Sequence, residues 1–164
     1  MRVLGIDPGS LATGFGVVEE AANRKLRALA WGAIRTTARQ PLSERLKRIY
    51  DGLSEAMQTW RPDAVSVERV FFADNPQTAL TLGHARGVAL LTAANAAVPL
   101  VEYSALEIKM AVVGYGRAAK SQIQQMVQTL LRLDDAPKPT DAADALAAAI
   151  CHLHTHGFQR HVQP

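Results

Sequence analysis

The chain has 164 residues, 48% hydrophobic and 20% charged, with a formal net charge of +3. That is one ordinary domain with enough apolar residues for a real core, and no apolar run approaches the roughly 20 residues of a membrane-spanning helix. The single cysteine, Cys151, excludes an internal disulfide framework and a cysteine-based zinc cluster. Strand sequence begins almost at the N-terminus with no signal peptide ahead of it, so a cytoplasmic location is expected. The small basic excess suits an anionic partner, and its field strengthens if several acids gather in one site.

Arg2 to Asp7 predicts a buried strand that delivers a carboxylate to its C-terminal end, where Pro8 and Gly9 turn the backbone. Gly9 allows a positive φ there, and Gly14 and Gly16 let another backbone or a ligand come close. Thr13 to Glu19 and Lys25 to Arg35 follow as strands around a polar turn, which makes an antiparallel meander. Pro41 opens a helix in which Leu42, Leu46, Ile49, Leu53, Met57 and Trp60 recur at spacings of three and four, with Arg45, Lys47 and Arg48 on its solvated flank. Arg61-Pro62-Asp63 stops it. Ala64 to Glu68 is a fourth strand, again ending in a carboxylate. Strand, helix and strand in this order imply a right-handed crossover with the new strand parallel to the first, bringing Asp7 and Glu68 to one edge of the sheet.

Asn75-Pro76 caps a helix that runs to about Ala97 and carries Gly83 and Gly87 one turn apart. Leu100 to Tyr103 is a fifth strand, and Ser104 with Glu107 forms a capping box for a short helix that Gly114 ends. After the loop Tyr115-Gly116-Arg117, an amphipathic helix presents Ile123, Met126, Val127, Leu130 and Leu131. A stiff Pro137-Lys138-Pro139 linker then leads to an alanine-rich helix from Asp141 to about His154, capped by Thr140. Residues 1–156 are expected to form a single domain, and residues 157–164 a disordered tail.

Asp141 and Asp144 lie three apart on one helix face, where acids also complement the helix dipole without further purpose. Together with Asp7 and Glu68 they are harder to dismiss. Each stands at the end or start of an apolar element, where a bare carboxylate is costly unless paired or bound to metal. Hard oxygen donors without a cysteine cluster point to Mg²⁺ or Mn²⁺. Two such ions about 4 Å apart can activate a water and stabilise the leaving 3′-oxygen in an in-line attack on a phosphodiester.

Four segments, in order, closely resemble the RuvC family of bacterial Holliday junction resolvases: Gly5-Ile6-Asp7-Pro8-Gly9, Val67-Glu68-Arg69-Val70-Phe71, Val112 to Gly116 with Lys120-Ser121-Gln122, and Asp141-Ala142-Ala143-Asp144-Ala145-Leu146-Ala147. The resemblance covers the chain up to the tail. It implies an α/β fold of the ribonuclease H type, a five-stranded mixed sheet flanked by helices. It implies a metal-dependent endonuclease with Asp7, Glu68, Asp141 and Asp144 as catalytic carboxylates, Asp7 bridging two Mg²⁺ ions for which Mn²⁺ can substitute. It further implies a homodimer with the Gly83–Gly87 helix at the interface, paired nicks in four-way junction DNA, and partnership with the RuvA and RuvB branch-migration proteins. Lys109 and Lys120 match family lysines that hold junction phosphates, with Arg69, Arg86 and Arg117 as lesser candidates for the same surface. Phe71 matches an aromatic that stacks on an unpaired base at the junction's centre.

Blander readings stand beside these. Lys109 and Lys120 also fit ordinary surface lysines, Phe71 a core aromatic, and the glycines of the helix a close fit on the sheet. Asp74 departs from the family by placing an acid where a basic residue is common. His152, His154 and His156 have a zinc-like spacing but sit at a helix end, and Cys151 is expected to be buried and inert. Competing functions are a ribosomal-RNA-processing nuclease resembling YqgF, an actin-like ATPase or sugar kinase, and a non-catalytic junction-binding protein. The Lys109–Gln122 segment and Phe71 favour the junction enzyme over the first, 164 residues are too few for the duplicated domain of the second, and an intact carboxylate set disfavours the third.

Overall fold

A computed structural model describes residues 1–69 and 75–162. The first three strands, β1 (Arg2–Asp7), β2 (Ala12–Glu20) and β3 (Leu26–Arg35), form the expected antiparallel meander. Helix α1 (Leu42–Trp60) crosses back so that β4 (Ala64–Arg69) pairs parallel to β1. Helix α2 (Pro76–Asn95) does the same for β5 (Leu100–Ser104), which pairs parallel to β4. The five strands stand in the order β3-β2-β1-β4-β5, followed in sequence by α3 (Ala105–Val113), α4 (Lys120–Leu131) and α5 (Thr140–Val162).

Two apolar layers sandwich this sheet. On one face Leu4, Ile6, Val17, Val65 and Val67 meet Ile49, Leu53 and Met57 of α1 and Ala85, Ala89 and Ala93 of α2. On the other, Val3, Val18 and Tyr103 meet α3, α4 and above all α5, which is buried from Ala145 through Leu153. Because β1 is covered on both sides, its four inner residues form an unbroken buried run rather than an alternating one.

Local chemistry sets the element ends. The Asn75 side chain accepts from the Thr78 N–H at 2.9 Å with Pro76 at the first helical position. Ser104 and Glu107 form the full capping box, and Gly114 at φ 84° closes α3 in a left-handed turn. Gly9 does not use the positive φ open to a glycine. Its requirement is steric, since a β-carbon there would strike the Ala12 carbonyl. The last helix also differs from expectation: α5 continues past His154 and through Gly157 to Val162.

Candidate active site at the sheet edge

Strand register builds the site. Asp7 pairs with Gly14, and Gly14 with Ala33. Glu68 follows Val67, the partner of Ile6, and itself pairs with Tyr103. Residues directly opposite one another in a sheet point to the same face. Ala33, Gly14, Asp7, Glu68 and Tyr103 therefore form one row across all five strands, on the face that α5 covers.

Small residues let α5 approach that row. A β-carbon on Gly5 would overlap the Ala145 carbonyl, one on Gly14 the Asp141 carbonyl, and one on Gly16 the Leu146 side chain. The helix backbone thus lies directly on β1 and β2, with Asp141 and Asp144 over the row. From β4, the buried Ser66 hydroxyl donates to the Ala148 carbonyl at 2.7 Å and pins the same helix two residues before Glu68. The Thr13 hydroxyl donates to the Gly9 carbonyl at 2.6 Å and holds the turn that follows Asp7. Close approach is legible in the sequence at Gly14 and Gly16, but not the roles of Gly5 and Ser66. A glycine within a strand that faces an alanine-rich helix was the available sign for Gly5; nothing local marks Ser66.

The four acids lie together and feel one another. Burial, then repulsion from Glu68, Asp144 and Asp141, pushes the Asp7 carboxyl up to about 8, with Lys120 opposing. Glu68 is raised as well, by burial first and Asp144 second, against Lys120 and Lys109. The Lys120 ammonium meets the Asp144 carboxylate at 2.6 Å, and this bond raises the lysine's own pKa. Glu68, Asp144, Lys109 and Lys120 line a concavity of about 270 Å³ with Ile108 and Ile123 behind them. A hollow of about 400 Å³ between the far ends of α1 and α2 contains no carboxylate.

Among the described residues, no three His, Cys, Asp or Glu side chains already stand in metal-ligand geometry. Like charges at these ranges repel and Lys120 draws Asp144 to itself; both oppose a closed cage. The chemistry of the donors still fits a hard divalent cation. They are all carboxylate oxygens, and a positive ion among them relieves the strain that keeps Asp7 protonated at neutral pH.

The other expected site residues divide. Lys109 and Lys120 reach the cluster, from α3 and from the first residue of α4, whose start is fixed by Gln122 accepting from the Ala119 N–H at 2.8 Å. Arg117 is exposed on the loop that leads to Lys120, and Arg69 is exposed at the end of β4, reaching the Glu102 carbonyl at 3.4 Å. Arg86 does not join this surface. It forks onto Glu102 at 2.6 and 2.8 Å and ties α2 to β5. A β-carbon on Gly83 or Gly87 would meet nothing within 4 Å among the described residues, so a fit against the sheet does not account for them. That inner face uses Ala85, Ala89 and Ala93 instead. Phe71 and Asp74 lie outside the described residues.

The histidines take structural partners. His152 Nδ1 lies 2.9 Å from the Tyr103 hydroxyl, and His154 Nδ1 lies 2.9 Å from the Ala111 carbonyl. Burial raises the Cys151 thiol to about 11, which leaves it inert near neutral pH. No helix of the described residues is long and apolar enough to cross a membrane.

Known proteins resemble this chain over most of its length. The family model for crossover junction endodeoxyribonuclease RuvC matches residues 3–152. The RuvC of Syntrophotalea carbinolica is 56% identical over 94% of both chains. The structure of Thermus thermophilus RuvC in complex with Holliday junction substrate superposes with a TM-score of 0.91 at 38% identity, covering 97% of this chain and 96% of that one. The yeast mitochondrial Holliday junction resolvase Ydc2 shares the ribonuclease H-like fold at a TM-score of 0.71 and 16% identity, covering 98% of this chain and 81% of that one. With its four acids gathered where α5 meets the sheet edge and its family model matched over residues 3–152, the chain belongs to the RuvC family of crossover junction endodeoxyribonucleases.

Proposed function

We propose that this protein is a structure-selective endonuclease of four-way DNA junctions, in which a homodimer makes paired nicks by metal-dependent hydrolysis of phosphodiesters. The observation that carries the reading is the convergence of Asp7, Glu68, Asp141 and Asp144 where the first turn of α5 meets the sheet, with Lys120 as their counter-charge.

Asp7 is the residue most exposed to the others' charge, and Asp7, Glu68, Asp141 and Asp144 would together hold the metal. Two Mg²⁺ ions, or Mn²⁺ in their place, would activate a water and stabilise the leaving 3′-oxygen when bound there. Asp7 must surrender its proton before it can act as a ligand, because its carboxyl is raised to about 8. Lys109 and Lys120, on the α3–α4 side of the acids, hold the incoming phosphate; Arg69 and Arg117 extend that surface. Phosphate contacts of this kind supply affinity and salt dependence and leave sequence choice to other groups. Phe71, next but two after Glu68 in the sequence, is assigned the stacking contact at the junction's centre.

The dimer reading rests on α2. Leu80 and Leu91 are 61% and 55% exposed, and they flank Gly83 and Gly87 on its outer side. An apolar helix face with two glycines permits close approach of the same face from a second copy around a two-fold axis. Two active sites related by that axis would cut opposed strands and leave ligatable ends. By family membership the RuvA and RuvB proteins are the expected partners, in the cytoplasm where the chromosome lies.

A synthetic four-way junction with labelled strands, incubated with protein and Mg²⁺, tests the reading; linear duplex and the Asp7→Asn variant are the controls. Paired nicks on opposed strands, absent from both controls, are expected. Binding without nicking in either Mg²⁺ or Mn²⁺ would reduce the protein to a junction-binding module.

A further inference from the structure

The basic residues gather in one place. Residues 24–48 hold eight of the chain's 18 Lys and Arg residues and one of its 15 Asp and Glu residues. Most of this stretch is β3, its following turn and the start of α1. Within it, Arg27 and Lys47 are spoken for by Glu19 and Asp51. Arg45 donates to the Ser10 carbonyl at 3.3 Å. Arg35 and Arg39 are exposed, and among the described residues neither makes an ion pair.

Register places Arg35 relative to the carboxylates. It pairs with Ala12 and lies two residues beyond Ala33, the partner of Gly14. Residues two apart on a strand share a face. Arg35 therefore projects on the α5 side of the sheet, just past the point where Asp141 rests on Gly14. The turn that carries Arg39 is tethered to the loop after Asp7: the Thr36 N–H donates to the Leu11 carbonyl at 3.0 Å, and the Thr36 hydroxyl to the Ser10 carbonyl at 2.6 Å. The Gln40 side chain, accepting from the Thr37 N–H at 3.0 Å, tightens that turn.

The carboxylates thus have cations at both ends of their row. Lys109 and Lys120 stand on the β4–β5 side, and Arg35 with Arg39 on the β3 side. We infer that Arg35 and Arg39 form a second phosphate clamp, which grips the DNA strand on the opposite side of the scissile phosphate from Lys109 and Lys120. A polyanion crossing four acids is repelled at the point of cleavage, and a grip on one side alone lets the strand pivot. Cations on both sides fix its line over the site. Arginine also suits the role because its planar fork can take two phosphate oxygens at once. This clamp rests on the junction-nuclease reading and adds to it the path of the strand.

Binding of a labelled four-way junction is measured by anisotropy in Ca²⁺ across a range of salt, for the wild type, the Arg35→Gln/Arg39→Gln double variant, Lys109→Ala, and Arg35→Lys/Arg39→Lys. Two lost phosphate contacts should make the log–log salt slope of the Gln variant shallower by about 2, while the Lys variant keeps the wild-type slope. Junctions with single neutral methylphosphonates on either side of the scissile phosphate then locate the contacts. Positions that weaken wild-type binding but not Arg35→Gln/Arg39→Gln should lie on one side, and those silent in Lys109→Ala on the other. Retained sensitivity on the lysine side shows that the Gln variant is folded. An unchanged slope, or the same silent positions in both variants, would overturn the clamp and leave the junction-nuclease reading intact. A wild type that neither binds nor nicks the junction would remove both.

Discussion

Gly14 lies directly beneath Asp141, with no room between them for a side chain: a β-carbon on Gly14 would overlap the Asp141 carbonyl. The contact brings the first turn of α5 to the surface of β2, one residue across from Asp7. Gly14→Ala must push that turn outward. The overpacking should cost about 1–3 kcal/mol of stability, and a shift of an ångström in the acids should lower nicking by about 100-fold. Melting and junction nicking measured on the same preparation check this, and wild-type nicking would mean that the placement of α5 does not set the site.

Asp7→Asn should abolish nicking, retain junction binding and stabilise the metal-free protein above neutral pH. The sign follows from the raised carboxyl. Between the ordinary value of 3.8 and about 8, native Asp7 holds a proton that the unfolded chain has released. Wild-type stability therefore falls as pH rises through that window, and asparagine removes the fall. Melting in EDTA at pH 4 and pH 8.5 should show a gain for the variant only at the higher pH. Loss of junction binding along with nicking would make Asp7 structural.

Metal dependence should carry the same signature. At limiting Mg²⁺ the nicking rate should climb with pH until about 8, where Asp7 no longer has a proton to displace. Raising the Mg²⁺ concentration should move the midpoint of the climb to lower pH, because the cation competes with the proton for the same oxygens. A midpoint that ignores Mg²⁺ would separate the titration from metal binding.

Lys109 lines the concavity with Glu68 and helps hold that carboxyl down. Lys109→Ala should weaken junction binding at low salt and flatten the salt slope by about 1. An unchanged slope would take Lys109 off the phosphate surface.

Leu91 stands 55% exposed on the outer face of α2. Leu91→Glu should give a monomer by sedimentation without lowering the melting temperature of the fold, and should replace paired nicks with single ones. A dimer of unchanged stability would move the interface elsewhere.

Much of this molecule is written in local sequence. The alternating and helical periodicities, the Asn75-Pro76 cap, the Ser104–Glu107 box and the Gly114 stop fix the elements, because each acts over a few residues. The crossover rule then brings the ends of β1 and β4 together, so Asp7 and Glu68 are legible as neighbours from the sequence alone. The four acids and the motif order were enough to mark the family. Other features arise only when distant segments meet. Gly5 and Ser66 matter because α5, some 80 residues and more away in the sequence, lies on them. Arg86 resembled a DNA-facing cation until β5 supplied Glu102. The open side of Gly83 and Gly87 depended on which face of α2 the sheet would cover. Arg35 reads as an ordinary strand residue until strand register sets it on the α5 side of the sheet, two residues beyond the partner of Gly14. Local sequence determines which element a residue joins and which charge it carries. The neighbours that neutralise it, bury it or leave it free for a ligand are decided by tertiary packing, because charge and contact act through space.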